Sequence, residues 1–287
     1  MHIIIGGTGH VGSATARALL RRGEPVTVVT RNAGHAADLR EAGANVAVAD
    51  VRNVPALRAI LRTGTTALLL NPPAAPFTDT DAVERANAAA IVDAVTGSGL
   101  RKAVAVSTTG ARRGERCGDL TVLFEFEEKL RAQAVPVAVN RGVYYMSNWV
   151  EMLDAVRHRG KLPSFFPENL LIPMVAPDDL GEVAAQRLLE PADRTDTIDI
   201  EGPRRYTPRD VADAFAQALG RPVDVEVIPR HAWERTYLQL GFSPEAARSY
   251  ACMTGTVLDE QDGWPDNPVR GATTLQNFIC ASISRKY

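Results

Sequence analysis

Cysteine is scarce in this chain: Cys117, Cys252 and Cys280 are its three thiols, far apart, odd in number and without C-x-x-C spacing. That pattern argues against a disulfide framework or a thiolate metal site and suits a reducing compartment, so a cytoplasmic location is expected. A surplus of either charge is missing too. The 34 acidic residues against 32 basic ones leave a net charge of −2, so nothing in the balance points to a nucleic-acid or membrane-surface partner. No apolar run approaches the roughly 20 residues of a membrane-spanning helix, and no charged leader with a small-residue cleavage site precedes the first apolar stretch. Neither nucleic acid nor membrane is expected as a partner. His10 and His158 have no partner at ligand or triad spacing, so both read as structural or solvent-facing and no metal is expected. Lysine is scarce as well, with four residues, Lys102, Lys129, Lys161 and Lys286.

What is present begins at the first residue. Ile3, Ile4 and Ile5 form the short apolar run of a buried parallel strand, and Gly6, Gly9 and Gly12 follow before an Ala/Leu-rich helix. A backbone without Cβ atoms can turn tightly and approach a pyrophosphate, while free N–H groups and the positive end of the helix face the anion. Gly6, Thr8, Gly9, His10, Val11 and Gly12 are therefore the candidate cradle for a dinucleotide.

Apolar strands and amphipathic helices alternate through the first half. Strands are expected near residues 2–5, 26–30, 46–49, 66–70, 103–107 and 136–140, with helices such as 11–22 and 81–96 between them. This rhythm predicts an α/β fold: a doubly wound parallel-sheet Rossmann core with a smaller C-terminal substrate-side lobe. The expected division is a nucleotide-binding core over residues 1–141 and a mixed segment over 142–287 that completes the sheet and forms the lobe, the two interleaved. In the second half a helix opens at Ala176-Pro177-Asp178-Asp179, Thr207-Pro208-Arg209-Asp210 spells a capping box, and Ser243-Pro244-Glu245 repeats the device. Residues 197–200 and 223–227 alternate as strands, and a final helix runs from Thr274.

The second strand ends in Thr30-Arg31-Asn32, where an NAD-binding sheet would place a carboxylate for the ribose hydroxyl. A guanidinium suits a 2′-phosphate in charge and fork geometry, so NADP(H) is expected in preference to NAD(H). Asp50 ends the third strand, either facing the adenine amino group or capping the next helix, a task Asn53 could also perform. Asn71-Pro72-Pro73 cannot continue into a helix and leaves an open loop along the cofactor groove. Ser107, Thr108 and Thr109 put hydroxyls at the carboxyl edge near the expected nicotinamide, where they act in catalysis or only form a turn. Residues 111–116 read as a solvated surface loop. Carbonyl reduction commonly uses a Tyr-x-x-x-Lys pair. The residues four before the lysines are Ser98, Glu125, Arg157 and Ser282, so the motif is absent. Glu125 and Lys129 read as a solvent-facing i,i+4 salt bridge.

With the glycine loop, Thr30-Arg31-Asn32, Asp50, Ser107 and the run from Asn140 through Tyr144, Tyr145 and Asn148 in view, the chain resembles NmrA-like members of the atypical short-chain dehydrogenases. The likeness continues through residues 172–179, Glu201-Gly202-Pro203 and residues 218–223. It implies a Rossmann domain with a small substrate lobe that binds NADP(H) or NAD(H). The family includes quinone and triphenylmethane-dye reductases as well as transcriptional co-regulators that hold the dinucleotide without turning it over. Gly6, Gly9 and Gly12, Arg31, Arg141 and Asn148 match family positions. Leu123 departs from them, because some catalytic relatives carry His or Lys four residues before the position of Glu127.

The leading expectation is an NADP(H)-dependent reductase of a small quinone-like or conjugated carbonyl acceptor, with Ser107, Tyr144 and Tyr145 as candidate catalytic residues and Tyr144 and Asn148 as acceptor contacts. Core packing is the competing role for the tyrosines. The rival is a non-catalytic redox sensor that binds NADP(H) and a protein partner. An isomerase or epimerase is a third possibility, weakened by the missing acid/base pair. A homo-oligomer is compatible with either leading reading.

Overall fold

The computed structural model describes residues 1–260 and 263–284, so Lys286 lies outside the described residues. In the first half, β1 (His2–Ile5), β2 (Val26–Thr30), β3 (Asn45–Val48), β4 (Thr66–Leu69), β5 (Lys102–Thr108) and β6 (Val137–Gly142) alternate with α1 (His10–Arg21), α2 (Ala37–Glu41), α3 (Val54–Leu61), α4 (Thr80–Val95) and α5 (Asp119–Arg131). Next come β7 (Tyr144–Tyr145), α6 (Ser147–Val150), α7 (Leu153–Arg159), β8 (Lys161–Ser164), β9 (Ile172–Val175) and α8 (Pro177–Leu189), which lead into β10 (Thr197–Glu201). The chain ends with β11 (Arg205–Tyr206), α9 (Pro208–Leu219), β12 (Asp224–Val227), α10 (Trp233–Gln239), α11 (Pro244–Asp259), β13 (Val269–Arg270) and α12 (Leu275–Ser284).

Eight of these strands form one sheet in the order β13-β10-β6-β5-β4-β1-β2-β3, every neighbouring pair parallel. The order reverses between β1 and β4, and a doubly wound sheet opens a ligand crevice at such a switch point. The strands are apolar on both sides because helices cover both faces. Ile4, Val28, Leu68 and Val104 face α1 and α8, whereas Ile3, Ile5, Val29, Leu69 and Ala105 pack with Leu57, Leu61, Ile91, Phe126 and Leu130 of α3, α4 and α5. Each such aliphatic, fully withdrawn from water, contributes about 1.5–3 kcal/mol. The lobe has its own core of Trp149, Phe166, Met174, Tyr206, Phe215 and Ile279. The two halves are interleaved, since α8 returns from the lobe to pack on α1, and β10 and β13 extend the sheet.

Local chemistry sets the helix starts. The side chains of Asn53, Asp79, Thr207 and Ser243 accept from the first-turn amides of α3, α4, α9 and α11, and Thr207 with Asp210 completes a capping box.

Two expectations, on the cysteines and on Glu125, are corrected. Cys117 and Cys252 form a disulfide across 135 residues of sequence, so the thiol-based argument for a reducing compartment loses its premise. Spacing along the chain could not reveal it, because the bond joins the approach to α5 with α11. The segment 111–116 is the largely exposed loop expected, and it is held in place: Arg112 bonds Glu260 at 2.6 Å, Arg116 pairs with Asp79, and the Glu115 carbonyl accepts from Arg85. Glu125 takes Arg85 of α4 as its partner at 3.1 Å, where the i,i+4 reading had assigned Lys129.

Candidate functional site

The glycine loop joins β1 to α1 at the switch point. Gly6 has φ +68°, a left-handed backbone that a side chain would strain, and a Cβ on Gly12 would fall 2.2 Å from the Gly6 carbonyl oxygen. The loop can close tightly only with glycine at both positions. Gly9, at the cap of α1, is extended, offers no side-chain cap, and no acidic residue stands in the first turn. The first amides of α1 are thus left to an external acceptor, in contrast to the capped α3, α4, α9 and α11. Thr8 and His10 flank the opening, Val11 is buried beneath it, and the Thr8 hydroxyl lies 3.3 Å from that of Thr30 at the end of β2. The cradle fits a dinucleotide pyrophosphate.

Arg31 stands exposed just past β2 and makes no ion pair among the described residues, while the Asn32 side chain, also exposed, accepts from the Gly34 amide. At the end of β3, Asn53 caps α3 and the Asp50 carboxylate accepts the Arg52 amide at 2.8 Å. The cap therefore belongs to Asn53, and Asp50 keeps an exposed carboxylate at the rim. Asn71, after β4, donates to the Glu84 carbonyl, and the Ala74 amide donates to the Glu84 carboxylate at 2.9 Å. The loop along the groove is thereby pinned to α4.

Ser107 is almost fully buried near the end of β5, and its hydroxyl donates to Glu127 Oε1 at 2.5 Å. Arg141 of β6 grips the same carboxylate with two bonds, at 2.9 and 2.8 Å, and Arg131 adds a third at 2.9 Å. Burial alone would raise the Glu127 carboxyl; the bonds from Arg141 and Ser107 outweigh it and hold the group below the ordinary carboxylate range. This network fastens α5 to the sheet edge and engages the Ser107 proton. Its signal in the sequence was the family match at Arg141 and Glu127, which named the positions without their contact.

Tyr144 and Tyr145 leave the edge of β6 half-buried. Tyr144 packs against Trp149 and Phe166, with centroids 5.6 and 5.5 Å away. Burial pushes both phenols well above their usual range, so they remain protonated donors and poor acids. A second aromatic file lies in the lobe, in which Tyr237 stacks on Phe165 at 4.6 Å and touches Phe242 and Tyr250. A flat apolar molecule suits such walls.

Two carboxyls that sequence reasoning passed over are electrostatic neighbours of Tyr145 and Tyr250. Glu84, buried on α4, and Asp119, the first residue of α5, lie within hydrogen-bonding reach of each other. Desolvation is the largest cause of displacement for both: with the charge of Asp119 next, Glu84 is pushed up to about 8, and with the charge of Asp81 next, Asp119 is pushed up to about 6, its interaction with Glu84 acting in the lowering direction. In the sequence they are ordinary helix residues 35 positions apart, and nothing in the spacing brings them together.

Several known proteins are similar to this chain. An NAD(P)H azoreductase of Xenophilus azovorans is 26% identical over 223 residues, which span 78% of this chain and 75% of that protein. The structure of the Citrobacter sp. triphenylmethane reductase complexed with NADP(H) superposes with a TM-score of 0.78 at 17% identity, covering 98% of this chain and 99% of that one. An NADPH-dependent quinone oxidoreductase of Escherichia coli gives 0.78 at 18% identity, covering 99% and 100%. At those identities the structural likeness establishes a common fold. The sequence pattern of the NmrA-like family matches residues 2–254, almost the full length, and the chain belongs to that family.

Proposed function

We propose that the protein is an NAD(P)H-dependent reductase that prefers NADP(H) and acts on a small quinone-like or conjugated carbonyl acceptor. The observation that carries this reading is the uncapped glycine cradle at the start of α1 together with unpaired, exposed Arg31 where an NAD-binding sheet would carry a carboxylate. The activities of the relatives, reduction of azo compounds, triphenylmethane dyes and quinones with nicotinamide cofactors, support it. Gly6, Thr8, Gly9, His10, Val11 and Gly12 would hold the pyrophosphate, Arg31 the 2′-phosphate and Asp50 the adenine amino group, with Asn71 and Ser107 walling the groove. Bound there, the reduced nicotinamide supplies hydride. The chain's own residues then have to align the acceptor and exclude water. Tyr144 and Tyr145, kept protonated by burial, donate hydrogen bonds that orient it, Asn148 contacts the acceptor with them, and Ser107 serves through the Glu127 network. Among the described residues no helix is long and apolar enough to cross a membrane, and no group of three or more His, Cys, Asp or Glu is arranged to hold a metal ion.

Cofactor choice has a direct test. Arg31→Ala is expected to weaken NADPH binding about tenfold or more while leaving NADH binding unchanged, as titration calorimetry with both cofactors would record. Equal wild-type affinities would remove Arg31 from its role. The reaction is tested by offering NADPH with quinones, conjugated carbonyls, azo dyes, simple ketones and sugars. The first three classes are expected to be reduced and the last two to be inert, because hydride transfer to simple carbonyls needs a strong proton donor beside the oxygen. Tight NADPH binding with no acceptor reduced would favour the sensor reading.

A further inference from the structure

One covalent bond joins elements of the two halves, and the function proposed above makes no use of it. Cys117 lies near the end of the segment that runs from β5 to α5, and its partner Cys252 stands in the middle of α11, 135 residues further along. We propose that this disulfide is a reversible thiol latch: closed, it holds α11 against the carboxyl edge of the sheet, and opened by a dithiol reductant it releases the helix and impairs use of the acceptor. The effect on the acceptor rests on the reductase reading; the latch itself does not.

Position is the first support. The start and the body of α11 touch the loops that follow β4 and β5, neighbouring strands at the edge where doubly wound sheets bind their ligands. Toward the loop after β4, the Ser243 amide donates to the Pro76 carbonyl at 2.9 Å, and the Ser243 hydroxyl donates to the Thr78 carbonyl at 2.7 Å. Toward the segment after β5, the disulfide is joined by Met253, whose sulfur accepts from the Asp119 amide at 3.2 Å, and by the ion pair of Arg112 with Glu260 at 2.6 Å. That segment continues β5, the strand that carries Ser107. One helix therefore restrains both loops at once.

The second support is how little else holds α11. Its buried residues are Ala246, Ala247, Ser249, Thr254 and Gly255, small side chains that remove little apolar surface from water, and Val257 and Leu258 pack on the core of the lobe only partly buried. The Arg112–Glu260 pair is open to solvent on both sides, and pairs of that kind contribute little. Tyr250 meets Tyr237 and Phe242 ring to ring, which couples α11 to α10 rather than to the sheet. Among the described residues the covalent bond is thus the strongest tie between α11 and the segment after β5.

Access is the third. Cys117 is buried but Cys252 is exposed on α11, so a thiolate can approach from that side, as exchange requires. A thiolate of the reductant attacks Cys252 Sγ, the bond between the two cysteines breaks, and Cys117 leaves as a thiolate that takes up a proton. The second thiol of the reductant then displaces Cys252, which is protonated in turn. Two electrons and two protons have passed to the protein, and the dithiol has become its own disulfide. The reverse exchange with an oxidised dithiol closes the latch.

The test compares oxidised wild type, wild type reduced with dithiothreitol and freed of it by anaerobic gel filtration, and Cys252→Ser, with folding checked by NADPH titration and melting. Thiol titration in denaturant should count one thiol, Cys280, in the oxidised protein and all three cysteines after reduction under native conditions. Amide hydrogen exchange in residues 111–118 and in α11 should speed up about tenfold on reduction and return to its former rate when oxidised dithiothreitol is supplied. With a fully substituted benzoquinone, whose ring has no position for thiol addition, kcat/KM should fall about tenfold in the reduced protein while NADPH affinity stays within about twofold. Cys252→Ser should match the reduced protein whether or not dithiol is present. A bond that resists dithiothreitol until the protein unfolds overturns the latch, as does unchanged exchange or unchanged kcat/KM once the bond is open. Faster exchange on reduction in a protein inert to every acceptor supports the latch and overturns the reductase reading alone.

Discussion

Glu127→Ala is expected to destabilise the fold by about 3–5 kcal/mol, the usual cost of removing one partner from a buried ion pair. The carboxylate is fully buried and holds Arg141, Arg131 and Ser107 together; its loss strands the part-buried Arg141 guanidinium and the Ser107 hydroxyl at the junction of α5 with β5 and β6, whereas Arg131 keeps Glu128 and Thr197. Equilibrium denaturation of wild type and variant provides the measurement. The same group dictates an acid limb. Its folded carboxyl titrates below the ordinary range, so its contribution is complete above the unfolded carboxylate value and is lost as pH falls through the lower folded value. Glu127→Gln should flatten the stability profile in that acidic window and leave its neutral part parallel to wild type. An unchanged acid limb would show that the network contributes nothing to it.

Gly9→Val should abolish NADPH binding and leave the protein folded. The residue sits at φ −79°, ψ 172°, which any residue adopts, and a Cβ there meets nothing closer than the Gly6 carbonyl oxygen at 3.4 Å. The protein has room for the side chain; the pyrophosphate does not. Gly12→Ala is the contrasting variant, because its Cβ would collide with backbone at 2.2 Å and disturb the loop itself. Calorimetric titration with NADPH, alongside melting curves, separates the two. Wild-type affinity in a folded Gly9→Val protein would place the cofactor elsewhere.

Most of the architecture was legible because its signals are local. Apolar runs such as Ile3 to Ile5 end where sheet burial ends, and the expected strands of the first half agree with the observed ones to within one or two residues. Thr207 and Ser243 announce their helices because a cap needs only three neighbouring residues. Two-residue strands such as β7, β11 and β13 carry no pattern of their own and exist through pairing with distant partners. The same holds for the chemistry. The glycine loop and Arg31 could be read as a contiguous motif, whereas the Ser107–Glu127–Arg141 contact, the Glu84–Asp119 pair and the Cys117–Cys252 bond arise where separate elements meet. Paired carboxyls look like exposed helix residues until α4 and α5 are packed side by side.

The central claim, that this cradle serves hydride transfer, is tested most directly by a single turnover. Protein loaded with a stoichiometric amount of NADPH is mixed with a quinone while the absorbance of the reduced nicotinamide is followed. The account predicts rapid loss of that absorbance, matched one for one by hydroquinone and abolished in the folded Gly9→Val variant. Bound NADPH that persists unoxidised in the presence of quinone, azo and triphenylmethane acceptors alike would contradict it.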